Sequence, residues 1–105
     1  MELRQIRTFL SVAETLHFGR SARLLNLSQP ALSLQVKALE DELGIQLLSR
    51  NRQGTVLTEA GQAFRKDAAA SLEKLEFDKR KAQRANSAIF VSALYQLPVL
   101  RSFRT

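Results

Sequence analysis

The chain has 105 residues, 45% of them hydrophobic, and carries 16 Lys and Arg against 10 Asp and Glu, a net charge of +6. With no cysteine and one histidine, disulfides and thiolate metal sites are excluded and no cluster for zinc can be assembled. This length holds one small domain plus an extension, and the charge points to an anionic partner, nucleic acid first and an anionic membrane surface second, against the plainer reading of a basic domain with a solvated surface.

No apolar run reaches the roughly 18–20 residues of a membrane span. The start, Met1-Glu2-Leu3-Arg4-Gln5-Ile6, lacks the basic-then-apolar layout of a signal peptide. A cytoplasmic location is therefore expected. Leu3, Ile6, Phe9, Leu10, Ala13 and Leu16 lie on one face of an amphipathic helix over residues 2–16. This helix is expected to brace the two helices after it. Thr15 to Gly19 breaks it, with Gly19 as the expected turn. Phe18 should fold back onto the core, and His17 reads as a solvated turn residue. A second helix is expected from about Gly19 to Asn26, with Leu25 and Leu27 pointing inward. Arg20 and Arg23 lie on its outside, either meeting phosphates or simply solvated.

Ser28 is placed to cap a third helix, and Pro30 sits in its first turn, where a missing N–H does no harm. Leu32, Val36, Leu39 and Leu43 form one narrow buried stripe. Opposite lie Pro30, Leu34 and Lys37, with Ala31 and Ser33 on the flanks. A helix-turn-helix whose second helix enters a DNA groove fits this pattern. The groove-facing segment would run from Ser28 to Lys37. Gln29 can bond bidentately to adenine, Ser33 can reach a base edge or a phosphate, and Leu34 can pack on a thymine methyl. Glu40-Asp41-Glu42 reads as a solvated acidic face. Gly44 suits the left-handed cap that ends the helix.

Next comes a small hairpin, with Ile45 to Arg50 and Thr55 to Leu57 as its arms and Asn51-Arg52-Gln53-Gly54 as its turn. Arg50 and Arg52 near its tip suggest a wing reaching the DNA backbone or minor groove, unless they are merely solvated. Thr58 then caps a last helix, in which Gly61 permits close packing. Phe64, Ala68, Leu72 and Leu75 give it an apolar stripe. A helix over residues 59–86 would be roughly 42 Å long, too long for so small a domain to cover. Its stripe is expected to pair with another chain as a coiled-coil-like dimer.

In outline the chain resembles the amino-terminal DNA-binding domain of LysR-type transcriptional regulators. Four segments carry the resemblance: Met1 to Phe9, Leu27 to Ser33, Leu39 to Gly44 and Leu57 to Gly61. Their order and intervals extend it over roughly residues 2–86. The resemblance implies a mainly α fold. Three helices and a two-stranded wing form a winged helix-turn-helix over residues 1–57, and a linker helix spans 58–86. It also implies a homodimer through antiparallel linker helices, with higher oligomers in a full-length form. The partner is double-stranded DNA carrying an interrupted inverted repeat, with the recognition helix in the major groove and the wing on the flanking minor groove. By position those roles fall on Gln29, Pro30, Ala31, Ser33 and Leu34, and on Arg50 and Arg52. Many relatives carry arginine where Leu34 stands. Leucine cannot hydrogen-bond to guanine, which shifts the expectation towards thymine methyls.

Ala88 to Ser92 and Leu97 to Arg104 resemble the first strand and first helix of the family's effector-binding domain. Without the rest of that domain, residues 87–105 are not expected to fold independently. They would be disordered, extend the linker helix to about Gln96, or pack on a partner chain. No cofactor and no small-molecule effector is expected here. The other functional class in play is a helical protein-interaction module with no DNA role. An enzyme is not expected: there is no glycine-rich phosphate loop, no nucleophile at motif spacing from a histidine, and no metal-ligand cluster.

Overall fold

The computed structural model describes residues 1–96. It contains α1 (Leu3–Thr15), α2 (Phe18–Leu24), α3 (Gln29–Leu43), β1 (Leu48–Asn51), β2 (Gly54–Leu57) and α4 (Glu59–Tyr95). Residues Met1–Ala70 form one unit around a single core. That core takes Phe9, Val12 and Ala13 from α1, Phe18 and Ala22 from α2, and Leu32, Val36 and Leu39 from α3. Leu47 and Leu48, at the foot of the hairpin, close it.

Helix α1 starts with a capping box between Glu2 and Gln5. Its buried face differs slightly from the one the periodicity suggests. Val12 is fully buried, whereas Leu3 and Leu16, at the two ends, are about two-fifths exposed. The chain also turns earlier than expected. Leu16, not Gly19, takes the left-handed conformation, with φ 53°. A leucine there costs about 1–2 kcal/mol. Thr15 Oγ1 offsets part of it by accepting from the His17 N–H and donating to the His17 carbonyl, both at 3.1 Å. Gly19 lies inside α2.

Hydroxyls stitch α1 to its neighbours. Ser21 is fully buried, and Ser11 Oγ donates to it at 3.1 Å. A hydroxyl has one proton, and Thr15 spends its own on His17. Ser21 therefore donates the 2.7 Å bond to Thr15. Thr8, also buried, donates to Gln35 Oε1 of α3 at 2.5 Å. Among the described residues no buried side-chain nitrogen or oxygen lacks a partner.

The turn from α2 into α3 is a Schellman motif. Asn26 is left-handed, φ 55°, and the Leu27 N–H reaches back to the Ala22 carbonyl at 2.8 Å. Leu27 packs on the core as expected, while Leu25 stays 37% exposed. Ser28 Oγ then accepts from the Ala31 N–H at 3.2 Å, which caps α3. Gly44, φ 69°, ends it, and the Ile45 N–H returns to the Glu40 carbonyl at 3.2 Å.

The hairpin is shorter than its sequence suggests. Ile45 and Gln46 precede it, and the antiparallel ladder runs from Leu48↔Leu57 to Asn51↔Gly54. This leaves a two-residue turn, Arg52-Gln53. Asn51 Oδ1 accepts from the Gln53 N–H at 2.8 Å, and Gly54 supplies the φ of 128°. Thr58 joins the hairpin to α4. Its Oγ1 donates to the Gln46 carbonyl at 2.6 Å and accepts from the Gly61 N–H at 2.9 Å, capping the helix.

Helix α4 continues to Tyr95, well past residue 86. Residues 88–92, which resemble a strand, are thus helical. A strand needs a neighbour for its N–H and C=O groups, whereas a helix satisfies them internally. The resemblance of residues 97–104 to a first helix lies outside the described residues.

Candidate nucleic-acid interface

The outward face of α3 is built by subtraction. Leu32, Val36 and Leu39 are buried, so the opposite side of the helix must face out. Pro30 and Lys37 are exposed there, Ala31 and Ser33 are half-buried at its edges, and Ser28 and Gln29 are exposed at the amino-terminal end of the helix. Leu34 is the extreme case, at 67% exposure. The proline, the lysine and the outward leucine thus share one side of one helix, opposite the buried stripe, as expected. Lys37 Nζ lies 3.4 Å from Asp41 Oδ1 in an exposed i,i+4 pair. Such a pair is worth little in water, so the ammonium is readily given up to a phosphate.

Arg20 and Arg23 project from α2 and are exposed. Phe18, Ser21 and Ala22 bury the other side of that helix. His17 does more than the solvated turn residue expected of it. Its Nδ1 accepts from the Arg20 N–H at 2.9 Å and caps α2. The first turns of α2 and α3 touch. A β-carbon added at Gly19 would stand 3.4 Å from Gln29 Oε1 and 3.2 Å from His17 Cε1. Gly19 thus sits within the helix beside the His17 ring rather than in a turn.

The wing lies beside this face. Arg52 is exposed at its tip. Arg50 is placed differently: its guanidinium carbon sits 3.4 Å from the centre of the Phe18 ring. A shallow cleft separates the hairpin from the helices, with Gln29, Gly19 and His17 on one side and Gly54 and Thr55 on the other. Arg50 and Phe18 line it too. Gln29 and Arg50, far apart in sequence, so belong to one surface.

Glu40 corrects the reading of the acidic run as a solvated face. Its Oε2 accepts from the N–H groups of Leu47 and Leu48, at 2.7 and 3.2 Å. Those two groups stand at the foot of the ladder, and the carboxylate supplies their partner. Asp41 and Glu42 remain exposed, and Glu42 meets the amino terminus at 2.6 Å. Composition gives no sign of the Glu40 clamp, because it depends on the turn at Gly44 bringing Leu47 back to α3.

The four residues read as a dimer seam fall into two groups. Phe64 packs on the domain core, its ring 5.5 Å from that of Phe9 and tilted by 54°. Ala68 is buried as well. Leu72 is half-buried and Leu75 is 49% exposed. Among the described residues no group of three or more His, Asp or Glu could hold a metal ion, and no helix is long and apolar enough to cross a membrane.

Three helices on one core, an uncovered capped third helix and an adjoining two-stranded hairpin define a winged helix-turn-helix. Residues 3–62 match the bacterial regulatory helix-turn-helix proteins of the lysR family, and the chain belongs to that family. It is 39% identical over 114 residues to the HTH-type transcriptional regulator AlsR of Bacillus subtilis, covering 99% of this chain and 38% of AlsR. It is 47% identical over 83 residues to the regulator BudR of Klebsiella aerogenes, covering 79% of this chain and 58% of BudR. The chain thus spans less than two thirds of these relatives. The BenM DBD in complex with catB site 1 DNA superposes with a TM-score of 0.79 at 38% identity, over 83% of this chain and 98% of that one. Full-length CbnR with its target DNA gives 0.70 at 41% identity, over 84% and 30%.

Proposed function

We propose that this chain binds double-stranded DNA sequence-specifically, as one half of a twofold reader in transcription control. The observation that carries this is the bare outward face of α3, held rigidly by its cap and core stripe. Solved relatives that share the fold are seen on DNA, and the net charge of +6 suits that partner. In this reading α3 enters the major groove with Gln29, Pro30, Ala31, Ser33 and Leu34 towards the bases. Ser28, Arg20, Arg23 and Lys37 meet the backbone. The hairpin lies on the flanking backbone or minor groove. Two copies pair through α4 on an inverted repeat, in the cytoplasm, where bacterial DNA lies.

Leu34 gives the reading a chemical signature. A leucine in the groove takes an apolar partner, and the thymine methyl is the one the major groove offers. The test is a fluorescence-anisotropy titration on a selected site at a series of salt concentrations. Phosphate contacts by Arg20, Arg23, Lys37 and Arg52 would give a log–log salt slope of about −3 to −4 per protomer. Affinity that stays flat from low to moderate salt overturns the proposal. Replacing the contacted thymine by deoxyuridine should weaken the wild type but not Leu34→Ala.

A further inference from the structure

We infer, on the DNA-binding reading above, that Arg50 is a positioning residue: it fixes the angle of the wing through Phe18, and Arg52 makes the wing's contact with DNA. The hairpin has two halves with unequal support. Its foot is anchored by buried Leu47 and Leu48, by the Glu40 carboxylate on their N–H groups, and by Thr58 on the Gln46 carbonyl. Its outer half, from Arg50 to Thr55, faces the helices across a cleft. A two-stranded ribbon alone is marginally stable and needs packing against another element to hold its place. The ladder and the turn's own bond hold that half together, and among the described residues the Arg50 guanidinium over the Phe18 ring ties it to the helical body.

The chemistry of the pair suits a hinge stop. Phe18 is 8% exposed and belongs to the core, so its ring is a fixed platform. A planar guanidinium stacks on such a face, whereas an ammonium does so less well and stays hydrated. Phe18 also opens α2, whose cap His17 and whose neighbour Gln29 line the same cleft. Seating Arg50 there registers the wing against the first turn of the recognition helix. Arg52, two residues further on in the turn, is carried to its place by that seat.

The experiment compares Arg50→Met, Arg50→Lys, Arg52→Met and the Arg50→Met/Arg52→Met double variant by anisotropy on one duplex across salt concentrations. Arg50→Met and Arg50→Lys are expected to lose about three- to tenfold in affinity. The double variant should bind no worse than Arg52→Met, and its salt slope should fall by about one, as for a single lost phosphate contact. Losses that multiply, a slope that falls by about two, or an Arg50→Lys protein that binds like wild type would overturn the proposal and make Arg50 a direct phosphate contact. A readout without DNA separates this from the DNA-binding reading itself. In heteronuclear NOE measurements Arg50→Met should raise backbone mobility at Arg52, Gln53 and Gly54 and leave α1 to α3 unchanged. Unchanged order at those three amides overturns the positioning role even if no duplex is bound. If the wild type binds no DNA while the amides loosen, the binding reading fails and the Arg50 seat stands.

Discussion

Helix α4 is one run of hydrogen bonds with two different surroundings. Its first turns belong to the domain: Gly61 and Ala68 are buried, and Phe64 packs on Phe9. From residue 71 the composition stays helix-forming, yet large apolar side chains are left in the open, Leu75 at 49% and Phe77 at 52% exposure. A stripe that looks uniform in sequence is therefore spent twice. Its beginning fastens the helix to the domain, and its continuation leaves Leu75 half in solvent. A long apolar stripe does not by itself identify a dimer seam. Each position must first be checked for a partner in its own chain.

The largest effects are expected where α4 touches the domain. A β-carbon at Gly61 would stand 2.0 Å from the Leu47 carbonyl oxygen and 2.9 Å from its carbon. That is backbone against backbone, with no side chain to swing away. Gly61→Ala should gain up to about 1 kcal/mol of helix propensity and lose more by forcing the helix off the wing. A net destabilisation of about 2–3 kcal/mol is expected in urea denaturation. An unchanged midpoint would mean that the contact relaxes without cost. Phe64→Ala should come next, at about 2 kcal/mol. A fully buried Phe costs about 3–5, and this one is half-buried but packed on Phe9. If Phe64→Ala left stability intact and abolished self-association instead, the division between the two parts of the helix would collapse.

Ser28→Ala tests the neighbouring site at a smaller scale. Loss of the bond to the Ala31 N–H should cost about 1 kcal/mol. DNA affinity should fall at least in proportion to any fraying of the first turn, which carries Gln29 and Pro30. A stability loss with fully retained DNA binding would show that this turn is not read.

Much of α3 is legible because its signals are local. A serine cap, a first-turn proline, a four-three-four apolar stripe and a closing glycine all act within one helix, and all four are in place. Gly61 is legible too, as a glycine inside a helix that has to serve an approach. What escapes is tertiary. A leucine gives no sign that it will take φ 53°, because the hydroxyl that supports it comes from a fold-dependent chain of Ser11, Ser21 and Thr15. Glu40 stands among acids that are exposed, and only the returning chain turns it inward. Arg50 and Phe18 meet because α2 and the hairpin do. The wing's first arm reads as starting too early because Ile45 and Leu47 look like strand residues, although Leu47 is a core residue and its N–H belongs to Glu40.

The smallest effect on the fold is expected at the far end of the comparison, where it is also the most informative. Leu75→Ser and Phe77→Ser remove exposed side chains, so each should change domain stability by less than about 0.5 kcal/mol. They differ in direction. At 100° per residue Leu75 stays with Leu72 on the stripe, whereas Phe77 falls about 140° round from Leu72. If two copies pair along a single seam, sedimentation velocity should show Leu75→Ser dissociating at concentrations where the wild type is paired. Phe77→Ser should stay paired. The reverse result would put the partner on the opposite face and leave Leu72 and Leu75 out of the contact. Equal weakening by both would require a broader surface than one helix stripe presents. Because neither residue belongs to the recognition helix, a loss of DNA affinity in Leu75→Ser that vanishes at saturating protein concentration would tie tight binding to pairing rather than to a damaged domain.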